Sequence, residues 1–457
     1  EQLSDKGVSV LVMDIKGDFS GIAMPGSTNA KIEERQAKIG IPWQAQGRPV
    51  EFLTLSKENG ARLRATVSEF GPVLFSKILG LNDTQSGVVS IIFKYCDDKK
   101  LPLLDLKDFK KVMNYITNEG KAEVEESYGK VSTATTSTIL RKIIELEQQG
   151  AEIFFGEKSF EVDDLVRLDE NGKGIVSILR LTDIQDRPKL FSTFMLSLLA
   201  EVYATFPEEG DADQPKLAIF IDEAHLIFEE ASKALLDQIE AIVKLIRSKG
   251  VGIFFCTQNP TDVPDDVLAQ LGLKIQHALR AFTAKDRKQI KLTAENYPMS
   301  DFYDTETLLT SLGMGEALVT VLSEKGNPTP LAATLLQAPR SRMDVLTPQE
   351  IEAINAKSYL VKKYNEVIDR DSAFEILTGK LKAAEQPATA QQTPATTQPT
   401  TTTQQQQEEN NEPGMLEKGI GAVGDFAKSS TGKIIIREVT RGLLGVLGLG
   451  GSTRRRR

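Results

Sequence analysis

The feature that most constrains this chain is an alternation of short, almost wholly apolar runs with longer helical patterns. Val8–Asp14 (VSVLVMD), Val50–Leu55, Ile175–Leu179, Leu217–Asp222, Val251–Thr257 and Lys274–Ala281 read as strands. Leu190–Thr205 and Ala231–Ser248 read as helices between them. Strands apolar throughout must be covered on both faces, which is the situation in a parallel sheet with crossover helices. The alternation therefore predicts an α/β fold with a mostly parallel sheet. Residues from about 60 to 150 break the rhythm with helix formers, including a run over Lys121–Gln149 that ends at Gly150, and predict a helical insertion. Ala317–Leu322 and Thr329–Leu335 flank the turn-like SEKGNP, which predicts an antiparallel hairpin closing one edge of the sheet. Glu1–Val8 reads as the last turns of a helix stopped at Gly7, so a segment upstream of Glu1 is expected.

Length and charge divide the chain. Its 457 residues amount to two or three domain equivalents at about 150 residues each. Residues 1–382 carry the α/β pattern. Residues 383–412 are built almost wholly from Gln, Thr, Pro, Ala, Glu and Asn, too poor in apolar side chains to offset ordering entropy, and predict a disordered linker. Residues 413–457 hold nine Lys and Arg against three acids. That tail is near +6 and leaves the other 412 residues near −15, out of a total of −9. Ile435, Val439, Leu443 and Leu447 recur there at near-helical spacing beside Arg437 and Arg441, with Arg454–Arg457 following. Such a basic amphipathic helix can dock on protein, nucleic acid or a membrane surface. The acidic total excludes a uniformly basic nucleic-acid coat protein. Two cysteines and two histidines exclude a disulfide framework and a His/Cys metal cage, and fit a reducing, cytoplasmic setting. No signal peptide and no stretch of about 18 apolar residues is visible.

Four segments could carry chemistry. In Lys216–Phe228 (KLAIFIDEAHLIF) an apolar strand ends in Asp222–Glu223 directly before a helical stretch. An ATPase needs that arrangement, with the first carboxylate associated with Mg²⁺ through water and the second orienting or deprotonating the attacking water. A buried strand followed by two helix-capping acids reads the same way. Val251–Pro260 (VGIFFCTQNP) places Thr257–Gln258 just past a second apolar run, where Gln258 either senses a γ-phosphate or simply begins a loop. In Leu273–Lys288, Arg280 lies near the end of a strand pattern and Arg287 in a helical start. Either could complete a neighbouring subunit's site or remain a surface arginine. In Val12–Gly21 (VMDIKGDFSG), Asp14, Lys16 and Asp18 could line the catalytic edge where open α/β sheets bind ligands, or be turn residues. No G-x-x-x-x-G-K-[ST] run occurs; Gly432–Lys433 comes near, but Ala427 and Ile434 stand where Gly and Ser/Thr are required.

Together, VMDIKGDFSG, KLAIFIDEAHLIF, IRSKGVGIFFCTQNP (Ile246–Pro260) and ALRAFTAKD (Ala278–Asp286) resemble the HerA–FtsK class of P-loop ATPases. More closely they look like the bacterial HerA-like (YjgR-type) helicase/ATPase family, over about residues 1–380 and again in the tail. The resemblance implies a RecA-like P-loop NTPase sheet, ATP and Mg²⁺ as ligands, and a homo-hexameric ring that moves double-stranded DNA. It implies Asp222 as the Mg²⁺-associated acid and Glu223 as catalytic base. Gln258 would be the sensor and Arg280 the finger reaching a neighbouring subunit. In that family a P-loop precedes the VMDIKGD strand, so truncation would explain its absence and would leave this polypeptide weakly active or inactive. A non-catalytic scaffold with an ATPase-like sheet, or a secretion or conjugation coupling ATPase, are the alternative expectations.

Overall fold

The computed structural model describes residues 1–183, 187–210, 212–229, 233–366, 368 and 370–385. Of the linker expected over 383–412, residues 383–385 are helical, and the rest of it and the basic tail lie outside the described residues. Among the described residues nine strands form: β1 (Ser9–Asp14), β2 (Val50–Thr54), β3 (Ala61–Arg62), β4 (Val176–Arg180), β5 (Leu217–Ile221), β6 (Val251–Phe255), β7 (Lys274–Gln276), β8 (Glu316–Thr320) and β9 (Ala332–Leu335). The α-helices that precede β4 are α1 (Gln2–Asp5), α2 (Ala30–Ile39), α3 (Val67–Ile78), α4 (Asp83–Lys99), α5 (Leu106–Thr117), α6 (Lys121–Tyr128) and α7 (Thr133–Gln148). Beyond them come α8 (Pro188–Thr205), α9 (His225–Glu229), α10 (Lys233–Leu245), α11 (Asp265–Leu268), α12 (Ala284–Glu295), α13 (Thr305–Ser311), α14 (Pro348–Asn355) and α15 (Tyr359–Tyr364). The described residues from Asp371 on belong to a second unit and form the helix α16 (Ala373–Glu385).

The first six strands form one sheet in the order β3-β2-β4-β1-β5-β6, and every adjacent pair in it is parallel. All six residues of β1 are buried, as its sequence requires. On one face Val8, Val10, Val12, Phe52, Val176, Ile178 and Ala218 pack with Leu346 and Ile351 from the α14 region. The alternate residues Leu11, Met13, Leu53, Leu179, Ile219 and Ile221 are buried on the opposite face, as the two-residue period of a strand dictates. Helix α8 is buried nearly all round through Leu190, Phe191, Phe194, Met195, Leu196, Leu198, Leu199 and Val202, which explains why its sequence lacks a polar stripe.

The expected insertion is helical over α3–α7, and its core is aromatic. Phe75 lies 4.9 Å from Phe109 and 6.1 Å from Phe93, and Phe70 lies 5.2 Å from Phe155, ring centre to ring centre. Two features of this region differ from expectation. The short strand β3 joins the sheet edge, and the single helix expected over Lys121–Gln149 is two, because the chain turns at Gly129–Lys130.

The hairpin forms as β8 and β9, but it does not close the edge of the six-stranded sheet. It pairs instead with β7 in a separate three-stranded antiparallel sheet of order β7-β8-β9. The ladder of β7 ends after three residues. Past it the Leu279 amide donates to the Leu309 carbonyl at 2.9 Å, tying the chain to α13. Ile290, Leu309, Leu312, Leu318 and Leu331 form the small core beneath this sheet.

The start of β4 is clamped to the segment before β1. The Gly174 amide donates to the Ser4 carbonyl at 2.8 Å, and the Ser4 hydroxyl donates to the Gly174 carbonyl at 2.6 Å. A Cβ at Gly174 would lie 1.9 Å from the Val8 carbonyl oxygen, so only glycine fits. Gly174→Ala is expected to destabilise the fold by about 3 kcal/mol, as overpacking against rigid backbone does, read as a lower midpoint in urea unfolding.

Candidate active site

The strand order creates one place where chain connections diverge. From β1 the chain runs past β4 to β2, whereas from β5 it runs the other way to β6. The crevice beyond the C-terminal ends of β1 and β5 is therefore a topological switch point, where open α/β sheets bind ligands. Register brings the strand ends to one level, since Met13 pairs with Ile221 and Ile221 with Phe255. The residues that follow them, Asp14–Asp18, Asp222–His225 and Cys256–Gln258, consequently share one edge.

Glu223 is the centre of this edge. It is 6% exposed and holds a left-handed backbone conformation, with φ +47°, uncommon for a residue with a side chain. Backbone bonds brace the turn around it. The Ala224 amide donates to the Cys256 carbonyl at 2.9 Å, and the Cys256 amide donates to the Ile221 carbonyl at 2.9 Å. Gln258 Nε2 donates to Glu223 Oε1 at 3.0 Å, and Lys16 Nζ forms an ion pair with the same oxygen. His225 Nδ1 lies 3.3 Å from Glu223 Oε2 without a hydrogen bond between them, and both atoms are buried without a hydrogen-bonding partner. Burial pushes the Glu223 carboxyl up, but Lys16 and Gln258 outweigh it and hold the group below its usual range.

Asp222, next to it, is half-buried and behaves in the opposite way. Burial, and then the neighbouring charges of Glu223 and Asp18, push its carboxyl up against the pull of Lys16. A carboxylate strained by like charges is one that a divalent cation relieves. Among the described residues no cluster of three or more His, Cys, Asp or Glu forms a metal cage. The donor set fits Mg²⁺, which binds through one or two carboxylates and completes its shell with water and phosphate oxygens.

Asp14 takes a different place from the one expected of a nucleotide-facing acid. It is 1% exposed and turned into its own loop. Its Oδ1 accepts from the amides of Gly17 at 2.7 Å and Asp18 at 3.0 Å, and its Oδ2 from that of Phe19 at 3.2 Å. Gly17 has φ +83°, and a Cβ there would meet Thr182 Cγ2 at 2.9 Å. Asp14 thus organises the loop that carries Lys16. Thr257 likewise braces its loop, its hydroxyl donating to Asp262 Oδ2 at 2.6 Å.

Arg280 is not brought to the Asp222–Glu223 edge of its own chain. It is exposed beyond β7, and its guanidinium donates to the carbonyls of Thr310 at 2.7 Å, Leu312 at 3.1 Å and Leu279 at 3.2 Å, capping the C-terminal end of α13. Arg287 falls on α12. Sequence reasoning missed His225. Its only signal was its position two residues beyond Glu223 at the first turn of a helix.

A strand-end acid pair, a polar residue from the neighbouring strand and a switch-point crevice define the class: an α/β nucleotide-hydrolase-type sheet. The particular family follows from sequence. The profile of the family "Helicase HerA-like C-terminal" matches residues 1–456. The chain belongs to that family, within the HerA–FtsK class of P-loop ATPases. No curated protein matches the chain. Solved structures similar to it at low identity include the bacterial conjugative coupling protein TrwBdeltaN70, 13% identical over 74% of this chain and 82% of that one, with a TM-score of 0.44. VirB4 of Thermoanaerobacter pseudethanolicus is 13% identical over 74% of this chain and 84% of its own, with a TM-score of 0.44. The plasmid coupling protein TrwB in complex with ADP and Mg²⁺ is 13% identical over 76% of this chain and 89% of its own, with a TM-score of 0.43. Among the described residues no helix is long and apolar enough to cross a membrane.

Removing the Asp14 carboxylate leaves the amides of Gly17, Asp18 and Phe19 without their acceptor. Asp14→Ala is expected to cost about 1–3 kcal/mol of stability. Faster proteolysis within residues 15–19 checks that the loop itself has loosened.

Proposed function

We propose that this protein hydrolyses ATP at the β1–β5 crevice and, as a ring of six subunits, uses that hydrolysis to move along duplex DNA. One observation carries the hydrolytic part: Glu223 sits at the end of β5 beside Asp222, with Gln258 of the β6 end on its carboxylate. Glu223 accepts a proton from the attacking water as the water oxygen bonds to the γ-phosphorus. The bond from the γ-phosphorus to the bridging oxygen then breaks, and ADP leaves. Asp222 would hold Mg²⁺ through water, and the ion would neutralise charge on the β- and γ-phosphate oxygens. Gln258 aligns Glu223 with the water. Arg280 serves the neighbouring subunit's site, exchanging its carbonyl partners on α13 for phosphate oxygens.

The DNA part rests on family membership, since the chain is acidic overall. The 457 residues contain no G-x-x-x-x-G-K-[ST] run, so by themselves they lack the backbone cradle that holds β- and γ-phosphates. Weak turnover is expected of these residues alone, and robust Mg²⁺-dependent turnover of a longer form that carries such a run. In that form Glu223→Gln should lower kcat about 100-fold or more while Mg·ATP still binds. Absence of turnover with or without duplex DNA would sink the reading.

The shared-site role of Arg280 has its own test. Arg280→Ala subunits mixed with Glu223→Gln subunits should recover activity that neither preparation has alone. Mixtures that behave as the average of their components would remove Arg280 from the neighbour's site.

A further inference from the structure

We infer that Lys16 is a latch on Glu223: it holds the carboxylate in an ion pair until a nucleoside triphosphate arrives and draws the ammonium group away. The inference rests on the ATPase reading above and adds a regulated state to the same site.

Three observations carry it. First, one oxygen of Glu223 is engaged by the protein. Lys16 and Gln258 share Oε1, while Oε2 is buried against His225. In this arrangement Oε1 is taken up by Lys16 and Gln258 and is not offered to a water. Second, exposure is asymmetric. The Lys16 side chain is 49% exposed and that of Glu223 is 7% exposed, so the lysine can leave without opening the core and the glutamate cannot. Third, the base of the latch is fixed and its arm is not. Asp14 pins the loop through three amides, and Gly17 seats it against Thr182, so the movable part is the flexible four-carbon stem of Lys16. A triphosphate in the crevice carries more negative charge than one carboxylate, and Coulomb attraction then favours transfer of the ammonium group. Lys16 is accordingly a positioning residue that acts through Glu223.

The test has an arm that does not depend on turnover. A double-mutant cycle between Lys16→Met and Glu223→Gln is read as thermal unfolding midpoints, without nucleotide and with a saturating non-hydrolysable Mg·ATP analogue. Coupling between the two sites is expected without nucleotide and is expected to vanish with it. No coupling without nucleotide, or coupling that persists with the analogue, would each overturn the latch while leaving the ATPase reading standing. An analogue that shifts the midpoint of no variant, together with no turnover, would instead bring down the ATPase reading and the latch with it.

Discussion

The site depends on one electrostatic constraint: a carboxylate that is almost fully buried at a strand end must be compensated. Glu223 is buried because β5 lies between β1 and β6 and its C-terminal turn is closed over by backbone bonds to Cys256. Burial of an isolated carboxylate would drive it towards its neutral form, useless as a base at neutral pH. The compensation comes from both neighbouring strands, Lys16 after β1 and Gln258 after β6. The strand order that makes a switch point also supplies the charge and the hydrogen bond that keep its central acid ionised.

The two acids of the Asp-Glu pair are consequently set apart. Glu223 is held below the usual carboxylate range, whereas burial and the nearby charges of Glu223 and Asp18 push Asp222 above it. Adjacent residues in one turn thus acquire different chemical characters from opposite environments, one suited to a proton and water, the other to a cation. Divergent environments of this kind are how acid and base roles are separated in a single site.

Much of this was legible in the sequence, because apolar runs bounded by acids are local signals. The runs ending at Asp14, Asp222 and Cys256 each became a strand of the parallel sheet, and their polar successors became one edge. What was not legible depended on partners distant in the chain. The spacing of Asp14, Lys16 and Asp18 left a turn and a catalytic edge equally open; in the structure Asp14 makes the turn and Lys16 pairs with Glu223. The hairpin after residue 316 was visible in its turn residues, but which strand it would join was not; it pairs with β7. His225 gave no signal because a single histidine at a helix start is ordinary until a carboxylate is found 3.3 Å from its ring.

The division of labour among these residues follows from which of them can move. Asp14 and Thr257 are committed to their own loops, and the backbone of Glu223 is fixed by the turn it occupies. Gln258 and Lys16 are both joined to Glu223 Oε1, but Gln258 is short and keeps its reach only while its loop stays in place. Lys16 has a long stem and solvent around half of its side chain. A site in which the base is rigid and its counter-charge is mobile requires no backbone rearrangement to change state. Swinging one ammonium group alters the basicity of Glu223 and the field at Asp222 together, because Lys16 acts on both.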